Sequence, residues 1–340
     1  MRYISLFSGI EAASVAWEDL GWEAVAFSEI EPFPCELLKQ RYPDVPNLGD
    51  ITKIDWSEYA GNVDIVVGGS PCQSFSIAGS RTGLAGESGL MFEYIRAVRE
   101  VMPRCFIWEN VPGALSSEEG RAFGQLLDEV DELGYGYSWR VLDAQFFGAP
   151  QRRRRVFLVG LFGNVESAVE VLFERESVCW DYPSSRAKRA ELAARAERSS
   201  SSRCLRVLPF DPTQITSKQN GNNPQWGDAC HPIAATSRPP HVICMADANS
   251  KAAIDEDLSG TLKVGGEPPI VSYQNPPEFV VRKLMPIECE RLQGFPDGWT
   301  EIEFKGKPAS DAARYKALGN SMAVPVMRWI GERVQEVLSR

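Results

Sequence analysis

Over residues 1–162, short apolar runs alternate with amphipathic stretches, and this alternation confines the chain to one class of fold. Residues 3–7, 23–28, 64–67, 105–108, 137–142 and 156–159 read as buried strands, each short and rich in Val, Ile and aromatic side chains. Between them, residues 11–20, 31–42, 90–101 and 123–133 have helical spacing, as with Ala13, Ala16, Trp17 and Leu20. Strand and helix taken in turn imply an α/β fold with a parallel sheet covered on both faces. Ligands of such sheets sit at the carboxyl ends of the strands. The pattern stops after residue 162. A helix is expected over 165–174 and a charged, exposed one over 184–202 that ends in serines. Residues 209–280 are rich in Pro, Gly, Asn and Thr. Three loosely similar pieces there, DPTQIT (211–216), HPIAAT (231–236) and LSGTLK (258–263), suggest short strands and loops. Ser310 and Asp311 can cap a helix through 318. Pro325 opens another to 338, with Val326, Ile330, Val334 and Leu338 inward.

The 340 residues are 44% apolar, enough for a large core and against global disorder. No run of 18 apolar residues is present, so no transmembrane helix is expected, and Ser8, Gly9 and Glu11 interrupt any signal-peptide core. An intracellular enzyme with reduced thiols is the expectation. Eight cysteines without a C-x-x-C pair and only two histidines, His231 and His241, argue against a zinc site and a His-based hydrolase. The net charge of −10 argues against a nucleic-acid partner, yet it is unevenly spread. Residues 1–149 carry −13, residues 150–218 carry +5 and residues 219–340 carry −2.

Several segments can carry chemistry. In LFSGIEAA a strand ends at Phe7, Gly9 makes the turn and a helix begins near Glu11. Glu29 follows Gly9 by 20 residues, at the end of the second strand. A nucleoside cofactor needs this arrangement, with close backbone approach at the turn and a carboxylate for ribose hydroxyls. Glu11 replaces the second glycine of a dinucleotide fingerprint, and an acid there opposes a pyrophosphate. Adenosine without phosphates fits better, with Asp50 of GDI a candidate for the adenine amino group. The expected strand 64–67 runs into GGSPCQSFS, where Cys72 is either a small buried hydrophobe or a nucleophile. The glycine-rich 74–89 that follows has the composition of a lid. Glu109 and Asn110 of WENVPG follow an apolar run, as a turn acid or a half-buried acid. In QRRRRVFLVG, Arg153 and Arg155 share one strand face and Arg152 and Arg154 the other.

FSGIEAA, FSEIEP, GDI, GGSPCQSFS, WENVPG, FGAPQRRRRVFLVG, RLQGFPDGW and ALGNSMAVPV occur in that order between residues 6 and 326. Together they resemble the ordered motifs of the DNA cytosine-5 methyltransferase family, of bacterial or phage type. The resemblance implies a Rossmann-like catalytic domain binding S-adenosylmethionine, formed by 1–170 and 310–340. It also implies a smaller, irregular, β-rich target-recognition domain over 171–309, with duplex DNA between the two. By position, Cys72 is then the nucleophile and Glu109 the acid, with Arg153 and Arg155 beside them. Gln73, Ser76, Arg81, Gln151, Arg153 and Arg155 would face DNA. Phe7, Ser8, Gly9, Ile10, Glu11, Glu29, Ile30, Asp50, Ile51, Pro71, Met91, Asn320 and Ser321 would line the cofactor. The helix after Asn320 would return beside the first strand. This sequence departs from the pattern at Glu11 and Ala12, where the family favours Gly, and at Ser88, where it commonly has Arg. No metal and no membrane partner are implied. A monomer acting on DNA in the cytoplasm is expected, and a companion restriction endonuclease is compatible with this type.

The chemistry explains these residue types. Cytosine C5 is a poor nucleophile until a thiolate adds at C6, and both atoms are hidden in a duplex until the base is flipped out. Asn220, Asn222, Asn223, Gln225, Arg238 and Lys251 are candidates for reading flanking bases. The alternatives are a tRNA cytosine-5 methyltransferase, a non-catalytic DNA-binding module, and a nicotinamide-dependent oxidoreductase, which Glu11 disfavours. If the basic segment from Arg152 onward contacts phosphates, DNA affinity should fall by orders of magnitude between roughly 50 and 200 mM salt. A titration by fluorescence anisotropy measures this, and a flat response would remove the phosphate contacts.

Overall fold

The computed structural model describes residues 1–71, 89–149, 151–173, 205–210, 241–246 and 279–340. The expected pieces at 184–202, 211–216, 231–236 and 258–263 lie outside them. Six strands form the main sheet: β1 (Arg2–Leu6), β2 (Glu23–Ser28), β3 (Ile65–Gly68), β4 (Cys105–Asn110), β5 (Tyr135–Asp143) and β6 (Arg154–Phe162). Their order is β2-β1-β3-β4-β6-β5. The first four are parallel, each joined to the next through a helix: α1 (Ala12–Trp17), α2 (Pro32–Arg41) and α3 (Gly89–Val101). A fourth helix, α4 (Arg121–Glu132), leads from β4 to β5.

The expectation of a parallel sheet fails at β6, which runs antiparallel to both β4 and β5. The reason lies in the connection. Between Asp143 and Arg154 there is only a short 3-10 turn, Ala144–Phe147, and no helix. A parallel crossover needs roughly a dozen residues or more, usually helical, so the chain reverses and β6 inserts between β4 and β5. Central β3 and β4 are buried along their whole length, as strands covered on both faces must be. Edge strand β5 leaves Trp139 exposed.

Helix periodicity decides which faces go inward. α3 buries Met91, Tyr94, Ile95, Val98 and Val101, and α4 buries Ala122, Phe123, Leu126 and Val130. After β6 the chain forms α5 (Val165–Leu172). Three further helices follow near the end: α6 (Pro286–Gln293), α7 (Asp311–Asn320) and α8 (Val324–Leu338). Ser310 caps α7 through the Ala313 N–H, and a proline sits in the first turn of α8. Between α6 and α7, β10 (Glu303–Phe304) and β11 (Lys307–Pro308) make a small hairpin. Both of its turn residues, Lys305 and Gly306, are left-handed, the geometry that matches strand twist.

A second sheet holds β7 (Leu205–Phe210), β8 (His241–Ala246) and β9 (Phe279–Lys283), antiparallel in the order β7-β8-β9. Pro209 lies in edge strand β7, where a missing N–H is tolerated. Two compact units result. The larger comprises Met1–Trp180, Pro232–Ser237 and Pro286–Arg340, and the other Asp181–His231 and Arg238–Met285. Residues 286–309 group with the larger unit.

α8 returns to pack on α1 and α5. Its inward face is Val326, Met327, Ile330, Gly331 and Val334. The buried Trp17 indole N–H donates to the Met327 carbonyl at 2.8 Å. Arg333 donates to the Val171 and Phe173 carbonyls at 2.7 and 2.8 Å, satisfying the free end of α5. Gly331 lets α8 approach this closely, because a Cβ there would lie 2.3 Å from Trp17 Nε1. Alanine favours a helix over glycine by about 1 kcal/mol. Even so, Gly331→Ala should lower the unfolding free energy, by ~1–3 kcal/mol, because overpacking outweighs propensity. Urea denaturation measures the difference.

Candidate active site

The turn after β1 is left-handed at three residues, Phe7 (φ 52°), Gly9 (φ 56°) and Glu11 (φ 63°). Two of these are not glycine and cost of order 1–3 kcal/mol each unless the surroundings hold them. They are held. The Ser8 hydroxyl donates to the Ser5 carbonyl at 2.8 Å and the Ser8 N–H to the Ser28 carbonyl at 3.2 Å. The Gly9 N–H donates to Glu29 Oε2 at 2.7 Å, so the 20-residue spacing seen in the sequence is a direct contact. Glu29 Oε1 accepts from the Ile30 and Glu31 N–H groups, both at 2.8 Å. Three backbone donors leave the carboxylate about one further acceptor position. Phe7 is half-buried, Ile10 is wholly buried, and Ile30 is 66% exposed beside Glu29.

Asn47, which carries no sequence signal, positions Glu29. Its Oδ1 accepts from the Glu29 N–H at 3.0 Å and its Nδ2 donates to the Glu29 carbonyl at 3.1 Å. The Leu48 N–H pairs with the Phe27 carbonyl at 2.8 Å, and the Ser28 hydroxyl with the Gly49 carbonyl at 2.7 Å. These bonds bring Asp50 to the end of β2. Its carboxylate closes the turn Ile51–Lys53 by accepting from the Thr52 hydroxyl and N–H at 2.8 and 3.1 Å. Those bonds, with nearby Lys53, hold it below the usual carboxylate range. Ile51 and Met91 are buried in the apolar core.

Glu11 is not an open side chain at the turn. It is fully buried and caps α1, with Oε1 accepting from the Ser14 N–H and hydroxyl at 3.1 and 3.2 Å. Burial, reinforced by nearby Glu29, raises its pKa to about 7. Burial first, and the Glu11 charge next, also push the Tyr3 and Tyr42 phenols up.

At the carboxyl ends of β3 and β4 the backbones come close. A Cβ on Gly69 would lie 2.8 Å from Glu109 Oε2 and 3.3 Å from the Glu109 carbonyl. Ser70 is pinned by β4: its hydroxyl accepts from Trp108 Nε1 at 3.1 Å and from Asn110 Nδ2 at 3.2 Å. Pro71 follows, half-buried. Cys72, Gln73, Ser76 and Arg81 lie outside the described residues. Glu109 is nearly buried and pairs with Arg155, Nε to Oε1 at 3.0 Å. Arg153 is also buried; it donates to the Gly319 carbonyl at 3.1 Å, while Arg154 on the other strand face is exposed. Gln151 is fully buried, and among the described residues neither polar atom of its carboxamide has a hydrogen-bond partner. Such a group needs a partner from outside the described contacts.

The α7–α8 junction borders the same region. Asn320 is exposed, and buried Ser321 closes α7 with its N–H on the Ala317 carbonyl at 3.1 Å. Met322 Cε would be 3.4 Å from a Cβ on Gly69. Gln293 Nε2 holds the Leu318 carbonyl at 2.8 Å, next to the one Arg153 holds. Buried Glu290 accepts from the Gly298 and Thr300 N–H groups at 2.7 and 2.9 Å and pairs with Arg314 at 3.1 Å. Gln293 and Gly298 belong to RLQGFPDGW, whereas Glu290, Thr300 and Arg314 lie outside it, and no local pattern marks their roles. Among the described residues no group of His, Cys, Asp or Glu could hold a metal, and no helix is long and apolar enough to cross a membrane.

The architecture has counterparts among solved structures. S. pombe Dnmt2 methyltransferase shares this fold over the full length of both chains, with a TM-score of 0.64 at 16% identity. A putative DNA modification methyltransferase encoded within an E. coli prophage does so with a TM-score of 0.61 at 17% identity. The scaffold is a Rossmann-like α/β fold. The family model for C-5 cytosine-specific DNA methylases matches residues 1–336, and the chain belongs to that family. Type II methyltransferase M1.ScrFI of Lactococcus lactis subsp. cremoris is 30% identical over 100% of this chain and 79% of its own length. A protein of Escherichia phage P1 named DNA N-6-adenine-methyltransferase is 32% identical over 99% of this chain. The chain spans 61% of that relative's length.

The Glu11 titration has a sign that can be checked. A carboxyl raised from an ordinary 4.5 to about 7 on folding binds its proton more tightly in the native state. Its contribution is therefore full below pH 4.5 and is lost as pH rises through about 7. Glu11→Gln keeps the capping oxygen and removes the charge. The variant should be more stable than wild type by about 2–3 kcal/mol at pH 8, with the gap closing near pH 4.5. Urea denaturation at the two pH values measures it.

Proposed function

We propose that this chain transfers a methyl group from S-adenosylmethionine to C5 of cytosine in duplex DNA, within a specific sequence. The observation that carries the reading is the Glu109–Arg155 pair set against Gly69, three residues before Cys72, at the carboxyl ends of adjacent central strands.

The residues present suit the cofactor. Backbone turns closely at Gly9, Glu29 keeps an acceptor position for a ribose hydroxyl, and exposed Ile30 offers an apolar face to a purine. Burial of Glu11 keeps its carboxylate out of the turn. S-adenosylmethionine, when bound, supplies an electrophilic methyl group. The rest falls to the chain and the base. The Cys72 thiolate adds to C6, the C5–C6 double bond opens, and electron density moves onto C5 and toward N3. Glu109 holds a proton at N3 and so stabilises that charge, while Arg155 orients the carboxylate. C5 then takes the methyl group. Loss of the C5 proton to a base restores the double bond and expels the Cys72 sulfur. Because the duplex hides C5 and C6, the cytosine must leave the stack, at a cost of a few kcal/mol. The buried carboxamide of Gln151, beside Arg153, offers an unused donor and acceptor to what enters there. The Pro-, Gly- and Asn-rich segment between 175 and 285 is assigned to sequence reading, and 1–170 with 310–340 to catalysis.

Bisulfite sequencing of DNA from cells expressing the protein should show 5-methylcytosine in one recurring context, absent with Cys72→Ser. In vitro, Glu109→Gln should lower kcat roughly 10²–10⁴-fold on duplex DNA. Methyl transfer to bulk tRNA and not to duplex DNA would overturn the DNA assignment.

A further inference from the structure

The segment Gly298–Thr300, from the RLQGFPDGW motif and the residue after it, is joined to the left-handed turn after β1. The Trp299 indole N–H donates to the Ile10 carbonyl at 2.9 Å, across 289 residues of sequence. Ile10 itself is wholly buried between the left-handed Gly9 and Glu11. Its carbonyl is therefore a point from which the orientation of the whole turn can be set.

Trp299 is itself held from two sides. From the interior, Glu290 accepts from the Gly298 and Thr300 N–H groups that flank it. From the surface, Arg41 of α2 donates to the Gly298 carbonyl at 2.7 Å and the Trp299 carbonyl at 2.9 Å. The same guanidinium lies 5.1 Å from the centre of the indole, a cation–π distance. Phe295 stacks on the indole, with ring centres 5.9 Å apart. An indole this constrained spends little entropy on its single hydrogen bond, so the bond acts on the turn and not on the tryptophan.

We propose that Trp299 is a positioning residue for the cofactor turn: its N–H fixes the Ile10 carbonyl and with it the backbone that meets the nucleoside. It does not touch the reacting atoms. The inference rests on the reading of residues 7–11 and Glu29 as the S-adenosylmethionine site. Because the turn meets the cofactor in the same way before and during reaction, losing the bond should weaken binding and leave the chemical step alone.

Trp299→Phe keeps a ring in the stack and removes the donor. Its KM for S-adenosylmethionine should rise about tenfold, the scale of one hydrogen bond, with kcat on duplex DNA changed less than about twofold. The calorimetric Kd for S-adenosylhomocysteine should rise in parallel, and the Kd for DNA should not move. Arg41→Gln, which frees the Gly298 and Trp299 carbonyls, should show the same split in milder form. It decides the question alone if Trp299→Phe fails to fold. An unchanged KM with fewer active molecules would mean a purely structural role and overturn the proposal. Glu29→Ala is the separate control. If it binds S-adenosylhomocysteine as tightly as wild type, the cofactor reading itself fails, whatever Trp299 does.

Discussion

The space beside Gly69 is filled by the Glu109 carboxylate, and much of the site depends on that close approach. With no side chain at 69, the ends of β3 and β4 converge. The hydroxyl of Ser70 then reaches Trp108 and Asn110, and Met322 closes in from the α7–α8 junction. The chain is delivered to Pro71 in one orientation. Arg155 is brought to Glu109 because β6 lies beside β4, in a register that sets Glu109 opposite Phe157. Had β6 joined the sheet by a parallel crossover, its arginines would have entered at the opposite end of the strand.

Buried charge is concentrated where segments distant in sequence meet. Glu290 is fully buried, and its two oxygens accept from Gly298, Thr300 and Arg314. A carboxylate so placed is tolerable only because its lone pairs are used, and removing one partner would strand the rest. Glu11 is buried with fewer donors, and its raised pKa is the consequence. The contrast shows two ways in which the same side chain is accommodated. One stays satisfied by a network that fixes the 298–300 segment. The other sits under the turn after β1, with its pKa raised to about 7.

Legibility in the sequence followed the range of the interaction. The strands and helices of residues 1–162 announce themselves through local periodicity, and β2 matches its expected limits at residues 23–28. Gly9 and Glu29 were also readable, because a turn and a strand end in one β-α-β unit must meet at the same sheet edge. The antiparallel β6 was not foreseen, since the deciding fact was a missing helix between two apolar runs. Asn47, Arg41, Gln293 and Trp299 were missed for another reason. Asn47 is a common loop residue, and the other three act on partners up to hundreds of residues away.

The class of fold, the order of the family motifs and the side chains available for chemistry are all legible in the linear chain. These depend on local pattern and on residue type, which a linear chain displays. Packing in three dimensions brings Arg155 to Glu109, buries Glu11 as a cap, and sets the Trp299 indole N–H on the Ile10 carbonyl in the turn after β1. Those outcomes depend on strand register and on how closely separate elements pack, and neither is written in any window of neighbouring residues.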